Sequence, residues 1–396
     1  MNFELNEKQK MIASTGRDLA SEFGPEYWRK KEEKGEFGNE FWEALSVAGF
    51  TGLIIPEEYG GAGGGTTELM IAMEELAAGG CGMAGAWYLI LSEIFGGLSI
   101  LRHGTGDQKR KYLPGIASGR TEFCMALTEP DAGSNTPNIK TFARKDGDYW
   151  IINGSKTFIS GADRAKGMLI VARTMPREAA SHRTAGLSLF LADLPDRAVE
   201  VIPVSKHGIN YSHTCIVNFD NLRLPSDALI PPEGGGWNCL LDTLNPERMS
   251  FTAAGIGIAR LAIQKAVNYA WERKVFADNP IGSYQSLQFP LAEAYAGLEA
   301  ARLLNLKAAD LFDRSQNAAE TGAASNMAKA IVVESATRAV FWAMQIFGGY
   351  GYTTEYDVER WWREVNLIRL APVTQQMTLG FIGEKVLGMP KSYVAL

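Results

Sequence analysis

The chain is 396 residues long, 46% hydrophobic and 21% charged, with 39 Lys and Arg against 45 Asp and Glu for a formal net charge of −6. That apolar content at that length buries one large or two to three smaller cores, and a mildly acidic balance without a Lys/Arg cluster argues against nucleic acid or an anionic membrane as the main partner. Four scattered cysteines, Cys81, Cys124, Cys215 and Cys239, with no Cys-x-x-Cys pair, and four histidines with no ligand spacing give no sign of a disulfide framework or a metal site.

The first ten residues are too charged for a signal peptide, and no uncharged apolar run reaches the length of a membrane span. A reducing cytoplasm is the expected compartment. Residues 6–119 follow a helical period: Asn6 with Gln9 makes a capping box, Ile12, Leu19, Ala20 and Phe23 share one face, and Leu69, Ala72, Met73 and Leu76 repeat the spacing. Between them, residues 52–65 carry glycines that suggest a phosphate loop, but they contain no Gly-Lys-Ser/Thr and no Gly-x-Gly-x-x-Gly opening a helix. A connecting loop is expected there.

From residue 121 to 231 the period shifts towards two. A β-favouring run at 123–127 breaks into a turn at Pro130, Asp131, Gly133 and Ser134, whose backbone N–H groups and hydroxyls are hydrogen-bond donors open to a ligand. Residues 149–152, the turn Asn153-Gly154 and the run up to Ser160 read as a hairpin. Further short strands are expected at 168–172, 187–191 and 214–219, together implying a β sandwich or barrel.

After Gly234-Gly-Gly236 the pattern is helical again, with amphipathic stretches at 250–274, 291–313 and 323–347 that suggest a four-helix bundle. The resulting α+β division is a helical domain at 1–120, a central β domain at 121–231 and a helical bundle at 232–396. Within the bundle, Asn245 suits an N-cap, Pro246 the first helical position, and Glu247 the first turn, where a carboxylate complements the helix dipole.

Five segments recur in a telling order: Met125-Ala-Leu-Thr-Glu-Pro-Asp-Ala-Gly-Ser-Asn135, Asn153-Gly-Ser-Lys-Thr-Phe-Ile-Ser160, Glu272-Arg-Lys-Val-Phe276 followed by Pro280-Ile-Gly-Ser-Tyr-Gln285, Gln345-Ile-Phe-Gly-Gly-Tyr-Gly351, and Thr374-Gln-Gln376. With them the chain resembles the acyl-CoA dehydrogenase family over essentially its whole length, down to a Pro-Glu-x-Tyr-Gly-Gly turn at residues 56–61. The resemblance implies that family's fold, an FAD cofactor, an acyl-CoA substrate and an electron-transfer flavoprotein or similar acceptor. It also implies a homodimer or homotetramer with FAD sites shared between subunits.

Carried onto this chain, the resemblance has Leu127, Thr128 and Ser134 contacting the isoalloxazine and the thioester end of the ligand, and Phe158 and Ser160 lying near the flavin N5. Phe158 stands where many members have Trp; an aromatic face still stacks there. Arg273 meets the pyrophosphate bidentately, or else is a helix-surface Arg in a salt bridge. Phe276, Gln285, Thr374 and Gln376 complete the cofactor set. Gln345, Gly348 and Gly349 reach the partner's FAD, although a C-cap explains the glycines equally well locally. Ala277 replaces a usual glycine, in a loop that looks one residue longer than the family's.

A larger departure concerns the base. Many members carry it in Tyr-Glu-Gly-Thr; here the matching residues are Ala371-Pro-Val-Thr374, so Pro372 removes both the carboxylate and a backbone N–H. Abstracting a proton α to a thioester still requires a base, and by resemblance to members that supply it from another helix, that base is Glu247, with Arg248 on the substrate side. The helix-start role of Glu247 and the catalytic one are compatible. Three further readings stay open: a same-fold oxidase or monooxygenase, a dehydrogenase of a carrier-protein thioester, and an inactive flavin-binding scaffold.

Overall fold

The computed structural model describes residues 4–276, 278–314 and 318–391; the departure at Ala277 lies outside them. Its helices in chain order are α1 (Glu7–Glu22), α2 (Pro25–Lys34), α3 (Asn39–Val47), α4 (Thr66–Leu76), α5 (Ala84–Leu89), α6 (Ser99–His103), α7 (Gly106–Ala117), α8 (Gly236–Glu272), α9 (Gln285–Asp313), α10 (Ala318–Phe347), α11 (Val358–Leu370) and α12 (Gln375–Phe381). The capping box opens α1 as expected, Asn6 Oδ1 accepting from Gln9 N at 2.9 Å and Gln9 Oε1 from Asn6 N at 3.1 Å. Chain compactness separates two units, one formed by the residues up to Lys30, Gly65–Trp87 and those from Asn245 onward, the other by Lys31–Gly64 and Tyr88–Leu244.

In the first unit α8 to α11 form the expected bundle. Asn305 of α9 donates to the Met249 carbonyl of α8 at 3.1 Å, and a Cβ on Gly255 of α8 would fall 2.8 Å from Ile368 of α11 and 3.2 Å from Val332 of α10. Such approach is available only without a side chain. Buried Glu74 of α4 is held between Arg260 of α8 and Arg302 of α9.

The second unit contains an eight-stranded sheet. Its strands are β1 (Phe123–Ala126), β2 (Phe142–Asp146), β3 (Tyr149–Ser160), β4 (Gly167–Arg173), β5 (Leu187–Asp193), β6 (Val199–Val204), β7 (Thr214–Pro225) and β8 (Leu229–Ile230), paired in the order β6-β7-β3-β2-β4-β5-β8 with β1 beside β4. Trp150, Ile152 and Leu222 from one half of that path and Ile170, Phe190 and Ala192 from the other share one buried cluster. The sheet wraps around a single core.

The expected hairpin at residues 149–160 is not formed. β3 runs unbroken and pairs antiparallel with β7 from Tyr149 opposite Pro225 to Ser160 opposite Thr214. Asn153-Gly154 marks a register shift instead of a reversal: Gly154 has φ +151°, and a Cβ there would lie 2.4 Å from Thr141 Oγ1. A glycine inside a strand pattern signals a bulge as readily as a turn.

The loop at 52–65 folds onto itself, the amides of Ala62, Gly63 and Gly64 donating to the carbonyls of Gly52, Ile55 and Leu53. Those donors are spent internally, as a connecting loop requires. The helical stretches Ala84–His103 and Ala318–Tyr352 are long and apolar enough to cross a membrane by length and composition, yet the first is 89% buried inside the fold and carries the buried carboxyl of Glu93. Neither is an uncharged run.

Candidate active site

The two β segments that carry most of the motif meet in the sheet unit. Thr157 N–H donates to the Thr128 carbonyl at 2.8 Å, and Lys156 Nζ donates at 2.9 Å both to the Leu127 carbonyl and to Glu129 Oε1. Glu129 accepts two further bonds, from the amides of Lys140 at 2.6 Å and Thr141 at 2.9 Å. Burial pushes this carboxyl up, but the Lys156 charge and the amide donors outweigh it and hold the pKa below the usual value. Lys156, buried completely, is pushed down to about 8 by desolvation against the pull of Glu129. Motif reading assigned these two residues no role; a Lys inside a half-apolar strand, with a Glu in the facing motif, was the available signal.

This lock presents Phe158. Its backbone sits at φ +60°, and the residue is 67% exposed, which is unfavourable for an aromatic side chain unless something covers it. Leu127 is buried, Thr128 and Ser160 are half-buried, and Ser134 is exposed just after the turn closed by Ala132 N–H on the Glu129 carbonyl at 3.0 Å. An exposed aromatic face beside half-buried hydroxyls suits a flavin ring.

In the helical unit the surprise lies around residue 246. Helix α8 begins at Gly236, so Pro246 is interior to it and Glu247 lies well past the first turn. The expected N-cap at Asn245 is therefore overturned: Asn245 Oδ1 accepts from Arg248 Nη1 at 2.9 Å and caps nothing. Pro246 withholds one N–H from the helix ladder, and the hydroxyls of Ser250 and Thr252 bond the carbonyls of Pro246 and Arg248. Local signals at Asn-Pro-Glu mimic a helix start; the packing of α8 carries the helix through them.

Glu247 and Arg248 are 9% and 8% exposed. Among the described residues the Glu247 carboxyl accepts no hydrogen bond, and Arg248 Nε has no partner. Burial raises the Glu247 pKa to about 7, opposed by Arg248 and Lys329, while burial lowers Arg248 to about 10 against the pull of Glu247. A carboxyl with a pKa near neutrality is matched to proton transfer at that pH.

Lys329 of α10, absent from the sequence-based site, donates from Nζ to the Pro372 carbonyl at 2.6 Å and also to the Val373 carbonyl. Its signal was a lone Lys in the apolar run Met327-Ala-Lys-Ala-Ile-Val-Val333. Thr374 caps α12, its Oγ1 accepting from Met377 N at 3.2 Å, and Gln376 is exposed.

The other predicted cofactor residues cluster at the far end of α8. Arg273 is exposed and makes no ion pair among the described residues, and its carbonyl accepts from Ile281 N at 2.9 Å, closing the segment that leads to Gln285. Phe276 is 84% exposed at φ +43°. Tyr269 stacks near Phe347 with ring centroids 4.5 Å apart, which brings exposed Gln345, Gly348 and Gly349 to the same end of the bundle. Gly348, at φ +60° just after α10, behaves as a C-cap glycine, and nothing in the described chain lies within 4 Å of a Cβ built on Gly349.

The chain matches known proteins along essentially its whole length. Family models for the N-terminal, middle and C-terminal domains of acyl-CoA dehydrogenase match residues 6–120, 124–222 and 234–387. The acyl-CoA dehydrogenase FadE12 of Mycobacterium tuberculosis is 38% identical over 99% of both chains, and the 3-(aryl)acrylate reductase of Clostridium sporogenes is 34% identical over 96% of this chain and 99% of its own. The structure of glutaryl-coenzyme A dehydrogenase with glutaryl-CoA superposes with a TM-score of 0.92 at 31% identity, covering 99% of this chain and 98% of that one.

Proposed function

We propose that this chain, which belongs to the acyl-CoA dehydrogenase family and is an oxidoreductase of that family, uses FAD to remove hydrogen from Cα and Cβ of an acyl-CoA thioester, with Glu247 as the base. FAD, when bound, supplies the acceptor for the β-hydride. The Glu247 carboxylate takes the α proton, and the neighbouring Arg248 cation stabilises the carboxylate before transfer. Leu127, Thr128, Ser134, Phe158 and Ser160 hold the flavin ring, and the Lys156–Glu129 pair keeps their backbone in place. Electrons pass on to an electron-transfer flavoprotein or comparable acceptor.

The observation that carries this reading is Glu247 itself: buried, unbonded within the described chain, raised to about 7, and deprived of any helix-cap role. A carboxylate retained at such cost needs a function other than stability. The same groups serve the reverse reaction, the direction for which the 3-(aryl)acrylate reductase relative is named.

The shared FAD site is part of the proposal. Arg273 directly follows α8, about 38 Å of helix beyond Glu247 at 1.5 Å per residue. One bound FAD does not span that length from ring to pyrophosphate, so Arg273, Gln345, Gly348 and Gly349 serve a neighbouring subunit. The exposure of Trp271 at 72%, Phe276 at 84% and Tyr352 at 85% fits a surface covered by a second copy.

The test is Glu247→Gln. Stopped-flow bleaching of the flavin by a panel of straight-chain, branched and aryl acyl-CoA thioesters should slow by ~10² to 10⁴ with the best thioester, at unchanged FAD content. Near-normal reduction by this variant would end the assignment.

A further inference from the structure

Pro372 has no N–H, so its carbonyl is the sole main-chain group through which it can be tied down. The turn at 371–374 nonetheless has to be held, because Thr374 at its end caps α12. The donor comes from the bundle. Lys329 is completely buried on α10, and its Nζ bonds the carbonyls of both Pro372 and Val373. One turn earlier on the same face of α10, Ser325 Oγ accepts from Arg248 Nη1 at 3.4 Å. A single stripe of α10 therefore faces both the Glu247–Arg248 pair and the turn.

Resting on the reading of Glu247 as the base, we propose that Lys329 is a positioning residue of the dehydrogenation site: it clamps the 372–373 turn through two carbonyls and holds a cation within electrostatic reach of Glu247. Motif comparison assigns it no role, and it touches no reacting atom. Burial lowers its pKa to about 7, with Arg248 adding to the depression and Glu247 opposing it. The charged groups around it are Glu247 and Arg248 from α8, with the Glu334–Arg369 pair, 3.0 Å apart, further along α10 and α11. Gln375 of α12, which bonds the Ala330 carbonyl at 3.1 Å, adds no charge. Losing the Lys329 cation raises the Glu247 pKa further, so the base stays protonated to higher pH.

Two variants separate the two tasks. Lys329→Met removes donor and charge; Lys329→Gln removes the charge and keeps an amide donor. Flavin reduction in the holoenzyme by the best thioester of the panel is followed from pH 6 to 9, and hydrogen exchange of residues 373–377 is read alongside. In both variants the acidic limb of the rate profile should move up by about one pH unit, so that a loss of roughly 10-fold on the acidic side shrinks towards pH 9. Exchange should quicken in Lys329→Met and stay near wild type in Lys329→Gln. An unmoved limb with a loss uniform across pH overturns the electrostatic role, and unchanged exchange in Lys329→Met overturns the clamp. Should Lys329→Met not fold, Lys329→Gln decides the pH question by itself. Normal flavin reduction by Glu247→Gln, measured in parallel, would mark a failure of the base assignment and with it of the cation's role, leaving the clamp to be judged on exchange.

Discussion

Glu129 in the sheet unit and Glu247 in the helical unit are nearly equally buried, at 6% and 9% exposure, yet their environments push them in opposite directions. Glu129 receives two backbone amides and the Lys156 ammonium, and its pKa falls. Glu247 receives no hydrogen bond from the described chain, and its pKa rises to about 7. Burial desolvates both; what differs is whether the protein supplies donors to replace the lost water. A fully bonded carboxylate is a structural fastener, here fixing the main chain at Leu127. An unbonded one is held ready to take a proton.

Substitutions at the two sites should therefore diverge. The largest stability loss is expected from Lys156→Met, which leaves Glu129 as a buried charge without its counter-ion. Denaturant unfolding should show a loss of about 3–5 kcal/mol, and retention of wild-type stability would mean that the two amides suffice. Next comes Glu129→Gln, which keeps one carbonyl acceptor but loses the charge-assisted bonds, for an expected loss of ~1.5–3 kcal/mol. Its flavin-reduction profile should keep the wild-type acidic limb; a shifted limb would give Glu129 a part in the proton chemistry.

Glu247→Gln should behave in the opposite sense. The folded-state pKa of Glu247 lies above the unfolded value, so its favourable contribution belongs to low pH and is lost as pH rises through about 7. The variant should match wild type near pH 4 and become more stable at pH 8, by up to about 3 kcal/mol. Destabilisation at pH 8 would show that Glu247 has bonded partners in solution and would erase the contrast with Glu129.

Motifs marked the two β segments that meet in the candidate site. Residues 125–135 and 153–160 lie together, Thr157 donating to the Thr128 carbonyl just past β1, although β1 itself pairs with β4 and β3 with β7. Local rules misled at two glycine- and proline-marked points. Asn153-Gly154 signals a tight turn, but the ladder between β3 and β7 continues past it and absorbs the glycine as a bulge. Asn245-Pro246-Glu247 signals a helix start, but α8 is already under way from Gly236. In both cases a tertiary gain over many residues outweighs a local preference of about 1–3 kcal/mol.

Sequence alone determined the order of helical, β and helical segments, the capping box at Asn6, the family, and the absence of a carboxylate at residue 372, since each depends on periodicity or on residue identity. Tertiary structure decided which buried charges are satisfied. Lys156 and Lys329 are both isolated lysines in apolar surroundings, and it is packing that gives the first a carboxylate and the second two backbone carbonyls. The physical reason is that desolvation and hydrogen bonding act over a few ångströms in space, between segments tens of residues apart, so the pKa values that separate the two carboxyls exist only once each unit is packed.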